Sequence, residues 1–249
     1  MAALRDLVGY SDRLLQVGEF KDYCPNGLQV EGRGEVQRLV SGVTASRALI
    51  ESAIEAGADA LLVHHGYFWR GEDPAVVGMK RDRLARLLGH GVSLLVYHLP
   101  LDAHPTYGNN AGLAARLGLS VDDVLGEAGL LFYGTPAEPL PAAELRARIE
   151  QALGRAPTHV AGGPDPIRRI GWCTGAAQGM IEQAADAGLD AFVSGEISEP
   201  TTHVARERGL HYFAAGHHAT EREGVRLLGE HLAACFDLAH RFIDIDNPA

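Results

Sequence analysis

The sequence predicts an α/β protein built from two similar α/β units related by an internal repeat, with mainly parallel sheets flanked by helices. Three observations carry that prediction. Residues Val40 to Gly66 resemble Ile170 to Glu196: a short apolar strand, a threonine, a small-residue turn, an amphipathic helix, an AGxDA segment and a second apolar run. Thr44 matches Thr174, and after a slip of one residue Glu51, Gly57 and Asp59 match Glu182, Gly188 and Asp190. Each half then adds another helix, ending near Gly91 or Gly209, and another apolar run, SLLVY or HYFAA, so strand and helix alternate as a parallel sheet requires.

The elements follow in order from local signals. Gly57 and Gly188 stand where a helix stops in a residue of positive φ. Between the copies, from about Gly126 to Asp165, proline, glycine and alanine become frequent around one helix-like stretch, PAAELRARIEQALG. Pro136, Pro139 and Pro141 and the run Gly162 to Pro166 punctuate it, so it reads as a linker plus the start of the second half. The expected division is residues 1–125 and 126–249, with the C-terminal segment a candidate to pack on the first unit.

Bulk properties narrow the function. At 249 residues with 46% hydrophobic content, the chain can bury one large or two small cores. A net charge of -10 without a basic run disfavours nucleic acid, and an anionic substrate would need a metal as its anchor. The opening MAALRDLVGYSDRLL is charged early, and nowhere do about 18 apolar residues run together, which predicts a cytoplasmic protein without a membrane span. Cys24, Cys173 and Cys235 lie far apart without CxxC spacing and read as reduced thiols rather than a disulfide framework or a cysteine zinc site.

In open α/β sheets, ligands bind beyond the carboxyl ends of the strands. Metal-type side chains follow every strand that can be tested against this rule. ALLV leads to His64 and His65; SLLVY leads to His98 and Asp102; AFV leads to Ser194, Gly195 and Glu196; HYFAA leads to His217, His218 and Glu221. Neighbours in an extended segment point to opposite sides, so His64 and His65 are expected to serve different ions. The four-residue step from His98 to Asp102 recurs from His217 to Glu221, and it puts both groups on one face once the segment turns helical. A catalytic zinc uses three protein ligands, so five His/Asp/Glu groups exceed the need of one ion and suit two ions about 3.5–4 Å apart that share a carboxylate. With N and O donors and no thiolate, Zn, Fe, Mn, Co and Ni all fit.

The remaining signals are weaker. His104 belongs to the same post-strand cluster, whereas His90, His159, His203, His231 and His240 read as structural or exposed. EGRGEV lacks the dinucleotide-binding spacing, and neither a Walker loop nor a G-x-S-x-G elbow occurs. Asn26 reads as a turn former, and Tyr67, Phe68 and Trp69 as pocket wall or packing surface.

Six stretches together resemble the Nif-three-like family of dinuclear-metal proteins, whose bacterial members are often labelled GTP cyclohydrolase 1 type 2 homologues. They are DYCPNGLQVEG (Asp22 to Gly32), SGVTAS (Ser41 to Ser46), ADALLVHHGYFWRG (Ala58 to Gly71), HLPLDAHPTYGNNAGLA (His98 to Ala114), SGEISE (Ser194 to Glu199) and AAGHHATEREG (Ala214 to Gly224). The resemblance implies a ring-shaped homohexamer, a trimer of dimers, with metal pairs facing an internal cavity. It carries two divalent ions per subunit onto His64, His65, Asp102, His217 and Glu221. Glu221 would bridge; His65 and Asp102 would complete one ion's set, and His64 and His217 the other's. The chain matches the short form, without the domain that longer members insert between the halves.

The chemistry expected of such a site is metal-assisted hydrolysis of a nucleotide or a cyclic amide. His98 and Glu196 are candidates for proton transfer, with orientation of the ligands as their alternative role. A small-molecule substrate is therefore expected; the rival reading is a metal-binding scaffold or interaction protein without turnover.

Overall fold

Apolar runs in the sequence become strands covered on both faces. The structure, a computed structural model, describes residues 1–126 and 128–249. Contacts divide the chain into two compact units: residues 1–108 with 224–246, and residues 109–223 with 247–249.

In the first unit the strands lie in the order Ala239–Phe242, Arg38–Thr44, Ala60–His65, Ser93–Val96 and Gly27–Val30, the last antiparallel to its neighbour and the others parallel. Alternation along Ala60–His65 sends Ala60 and Leu62 into one core with Leu4, Leu7, Val225 and Leu228. Leu61 and Val63 enter another core with Leu49, Ile50, Leu84 and Leu87. Burial on both sides is why this strand reads as a continuous apolar run rather than an alternating one. The helix Arg47–Glu55 starts at Ser46, whose hydroxyl accepts the Leu49 N–H at 3.2 Å, and it stops at Gly57, where φ is 70°.

In the second unit the order is Asp123–Leu125, Leu131–Gly134, Ile170–Cys173, Ala191–Ser194, His211–Ala214 and Thr158–Val160. Ile170–Cys173, Ala191–Ser194 and His211–Ala214 are parallel, and they match the duplicated stretches of the first unit in their succession along the chain. Trp172 is fully buried among Leu113, Phe132 and Leu145, and its indole N–H donates to the Asn110 carbonyl at 3.0 Å.

This second sheet is less parallel than the sequence implies. Leu131–Gly134 and Thr158–Val160 both join antiparallel, and they come from the proline- and glycine-rich stretch read as linker, where short strands leave little periodic signal. The units change at Gly108, whereas composition placed the change near residue 125. The helix Asn109–Leu117 lies in between, and it carries Leu113, Ala114 and Leu117 into the Trp172 core. Residues 224–246 supply the first unit with core side chains and its edge strand. Among the described residues no helix is long and apolar enough to cross a membrane.

Candidate metal centre

Each unit assembles a histidine–carboxylate cluster beyond its parallel strands. In the first, His64 and His65 are the last residues of their strand, and their rings lie 4.6 Å apart. His64 is fully buried; its Nδ1–H donates to the Tyr97 carbonyl at 2.8 Å, and its Nε2 lies 3.4 Å from Asp102 Oδ1. Thr44, the threonine of the repeat, places its hydroxyl 3.2 Å from His65 Nδ1. Asp102 is buried on the short helix Leu99–Ala103, and its N–H donates to the His98 carbonyl at 3.1 Å, which is the helical turn that the four-residue spacing requires. Within this unit Asp102 lies beside His64.

His98 completes the cluster. It offers a ring nitrogen that lies with those of His64 and His65 inside a mutual 4.8 Å, and its ring is 5.0 Å from that of Trp69. Its Nδ1 lies 2.7 Å from Asp22 Oδ1. Burial pushes the Asp22 carboxyl up, but hydrogen bonds from His98, Asn26 and the Tyr23 N–H outweigh it and hold the group at about 2. Cys24 stands in the same neighbourhood, yet burial and then the Asp22 charge push its thiol up to about 12. It stays neutral and is a poor ligand for a cation.

In the second unit the strand Ala191–Ser194 leads to Glu196, and His211–Ala214 leads to the helical turn His217–Thr220 and Glu221. His217 Nδ1 lies 2.7 Å from Glu196 Oε1, and its Nε2 lies 3.2 Å from Glu221 Oε2. Burial opposes a charge on His217, but the Glu221 and Glu196 carboxylates prevail and raise the imidazole to about 9. Glu221 is buried against Gly175, whose φ of 68° disfavours a side chain; a Cβ there would land on Glu221 Oε1. The Gly175 turn is fixed on two sides. Its N–H donates to the Thr220 hydroxyl at 3.0 Å, and its carbonyl accepts from Ser194 Oγ at 3.1 Å.

Both clusters set the second ring nitrogen of a histidine against a carboxylate: His64 Nε2 against Asp102 Oδ1 and His217 Nε2 against Glu221 Oε2. Such a pair repels unless a positive charge, a proton or a metal ion, accompanies it. The donor set fits a divalent ion with N and O ligands. Seven other histidines are engaged elsewhere. His104 Nδ1 accepts the N–H groups of Thr106 and Tyr107, and His159 Nε2 faces His211 Nδ1 at 3.1 Å. Tyr10 binds His231, Ser41 binds His240, Arg86 binds His90 and Glu199 binds His203. Sequence reasoning missed Asp22 as the partner of His98 and understated Asn26, whose Oδ1 accepts the His98 backbone N–H at 2.7 Å.

Fold and clusters together define a two-unit α/β protein whose histidines and carboxylates beyond the strands could hold metal. Residues 2–248 match the family described as Duf34/NIF3 (NGG1p interacting factor 3), and the chain belongs to that family. A Pseudomonas aeruginosa relative named GTP cyclohydrolase 1 type 2 homolog is 56% identical over 251 residues, covering 99% of each chain. Among solved structures, the protein ybgI, described as of unknown function, superimposes with a TM-score of 0.97 at 51% identity, covering 100% of both chains. A protein from Thermus thermophilus does so at 0.92 with 36% identity, again over 100% of both.

Proposed function

We propose that the protein binds two divalent metal ions per subunit and uses them to hydrolyse a nucleotide or a cyclic amide, as the cyclohydrolase name of its relatives suggests. The observation that carries this reading is the pair of histidine–carboxylate contacts, His64 Nε2 to Asp102 Oδ1 at 3.4 Å and His217 Nε2 to Glu221 Oε2 at 3.2 Å. In this reading His64, His65 and Asp102 of the first unit and His217 and Glu221 of the second would be the ligands. The ions, when bound, supply Lewis-acid polarisation of the electrophile and activation of water. Asp102 and Glu221 offset the charge of the cations, which two neutral imidazoles alone could not do. Glu196, through His217 Nδ1, keeps that ring turned for binding, and His98 handles the proton released during hydrolysis. The family resemblance further supports a homohexameric ring.

The test is turnover by the metal-loaded protein against GTP, other nucleotides and cyclic amides, with bound metal measured on the same samples. Wild type is expected to hold two ions and to convert at least one class, and Glu221→Gln to lose activity by more than about a hundredfold. Two ions with no turnover of any compound would instead favour a metal-binding scaffold. Absence of tight metal binding would sink the reading altogether.

A further inference from the structure

His98 is gripped at two points by residues of one upstream loop. Asp22, with a side chain only 3% exposed, puts Oδ1 against the imidazole Nδ1 at 2.7 Å. The same oxygen accepts the Tyr23 N–H at 2.5 Å, and Oδ2 accepts from Asn26 Nδ2 at 2.8 Å and from the Leu99 N–H at 3.0 Å. An ionised carboxylate can only accept, so the nitrogen of His98 that faces it must carry the proton. Asn26 then takes the His98 backbone N–H at 2.7 Å, so one pair of side chains locates both the ring and its backbone. The second unit uses the same device, with Glu196 Oε1 at 2.7 Å from His217 Nδ1. Repetition of a carboxylate on Nδ1 at the matching place in both halves argues against incidental packing.

We infer that Asp22 is a positioning residue which, with Asn26, locks the neutral His98 ring in the Nδ1–H tautomer and so leaves Nε2 as its hydrogen-bond acceptor, on a ring 5.0 Å from that of His64 and 5.8 Å from that of His65. A neutral imidazole left to itself exchanges tautomers, and the other form would offer an N–H where a proton has to be received. The inference rests on the reading that His98 handles a proton, but its test does not need a substrate.

Zinc-loaded protein labelled with 15N-histidine is measured by solid-state NMR, the His98 signals being assigned by their loss in His98→Gln. Wild type is expected to show a protonated-type Nδ1 and a lone-pair-type Nε2 for His98. In Asp22→Asn the amide can turn its NH2 toward Nδ1, and the two signals are expected to exchange type or to average. A protonated Nε2 in wild type, or an unchanged His98 spectrum in Asp22→Asn, overturns the inference. If the variant does not fold, the wild-type spectrum decides alone. Zinc content on the same samples separates the two proposals: wild type without zinc but with the expected tautomer defeats the metal reading and leaves the role of Asp22 standing.

Discussion

At the scale of single residues, the second cluster depends on an absence. Gly175 leaves the space that Glu221 Oε1 occupies, and its backbone adopts a φ that disfavours any side chain. Gly175→Ala is therefore expected to displace the Glu221 carboxylate and to lower bound metal per chain severalfold, with about 1 kcal/mol of added backbone strain. Metal analysis after dialysis, beside a thermal melt, checks this; a variant that keeps wild-type metal content would show that the close approach is unimportant. The histidines and carboxylates of both clusters were legible because they follow apolar runs at a repeated spacing. Their supporting partners were not. Asp22 is 76 positions from His98, and the group that holds His64 is a backbone carbonyl, to which the sequence gives no clue.

At the scale of elements, the strand Arg38–Thr44 ends in the threonine of the repeat and is followed by a tight turn and a capped helix. Thr44 reaches His65, and two residues on Ser46 caps the helix Arg47–Glu55, so the cap helps to define the turn behind a candidate ligand. Ser46→Ala is expected to cost about 1 kcal/mol. The loss should be read as a lower urea midpoint, with faster amide exchange concentrated in the first turn of that helix; uniform exchange along the sheet would contradict a capping role. Parallel strands buried on both faces announced themselves as apolar runs. Leu131–Gly134 and Thr158–Val160 did not, because short antiparallel strands between prolines and glycines carry neither length nor periodicity.

At the scale of the whole molecule, buried titratable groups set the response to acid. Burial pushes His159 and His240 down, and Asp22 is held at about 2. An imidazole whose folded pKa is depressed gives stability that is complete above its unfolded value, about 6.5, and is lost as pH falls below it. The depressed carboxylate contributes stability that is complete above about 4 and is lost on the way down to 2, amounting to about 2 kcal/mol. Urea midpoints are therefore expected to fall in two stages between about pH 7 and pH 2, with Asp22→Asn removing the second and His240→Gln reducing the first. A single transition unaffected by either change would contradict this assignment.

The order in which the chain closes has a consequence for biosynthesis. The strand Ala239–Phe242 pairs with Arg38–Thr44, and Val225, Leu228 and Leu232 pack with Leu4 and Leu7, so the first unit cannot close until residues 224–246 have been made. The second unit draws only residues 247–249 from beyond its main stretch, 109–223. A released chain truncated after residue 223 should thus keep most of the second unit but leave the first with its greasy flank bare, a natural client for chaperones.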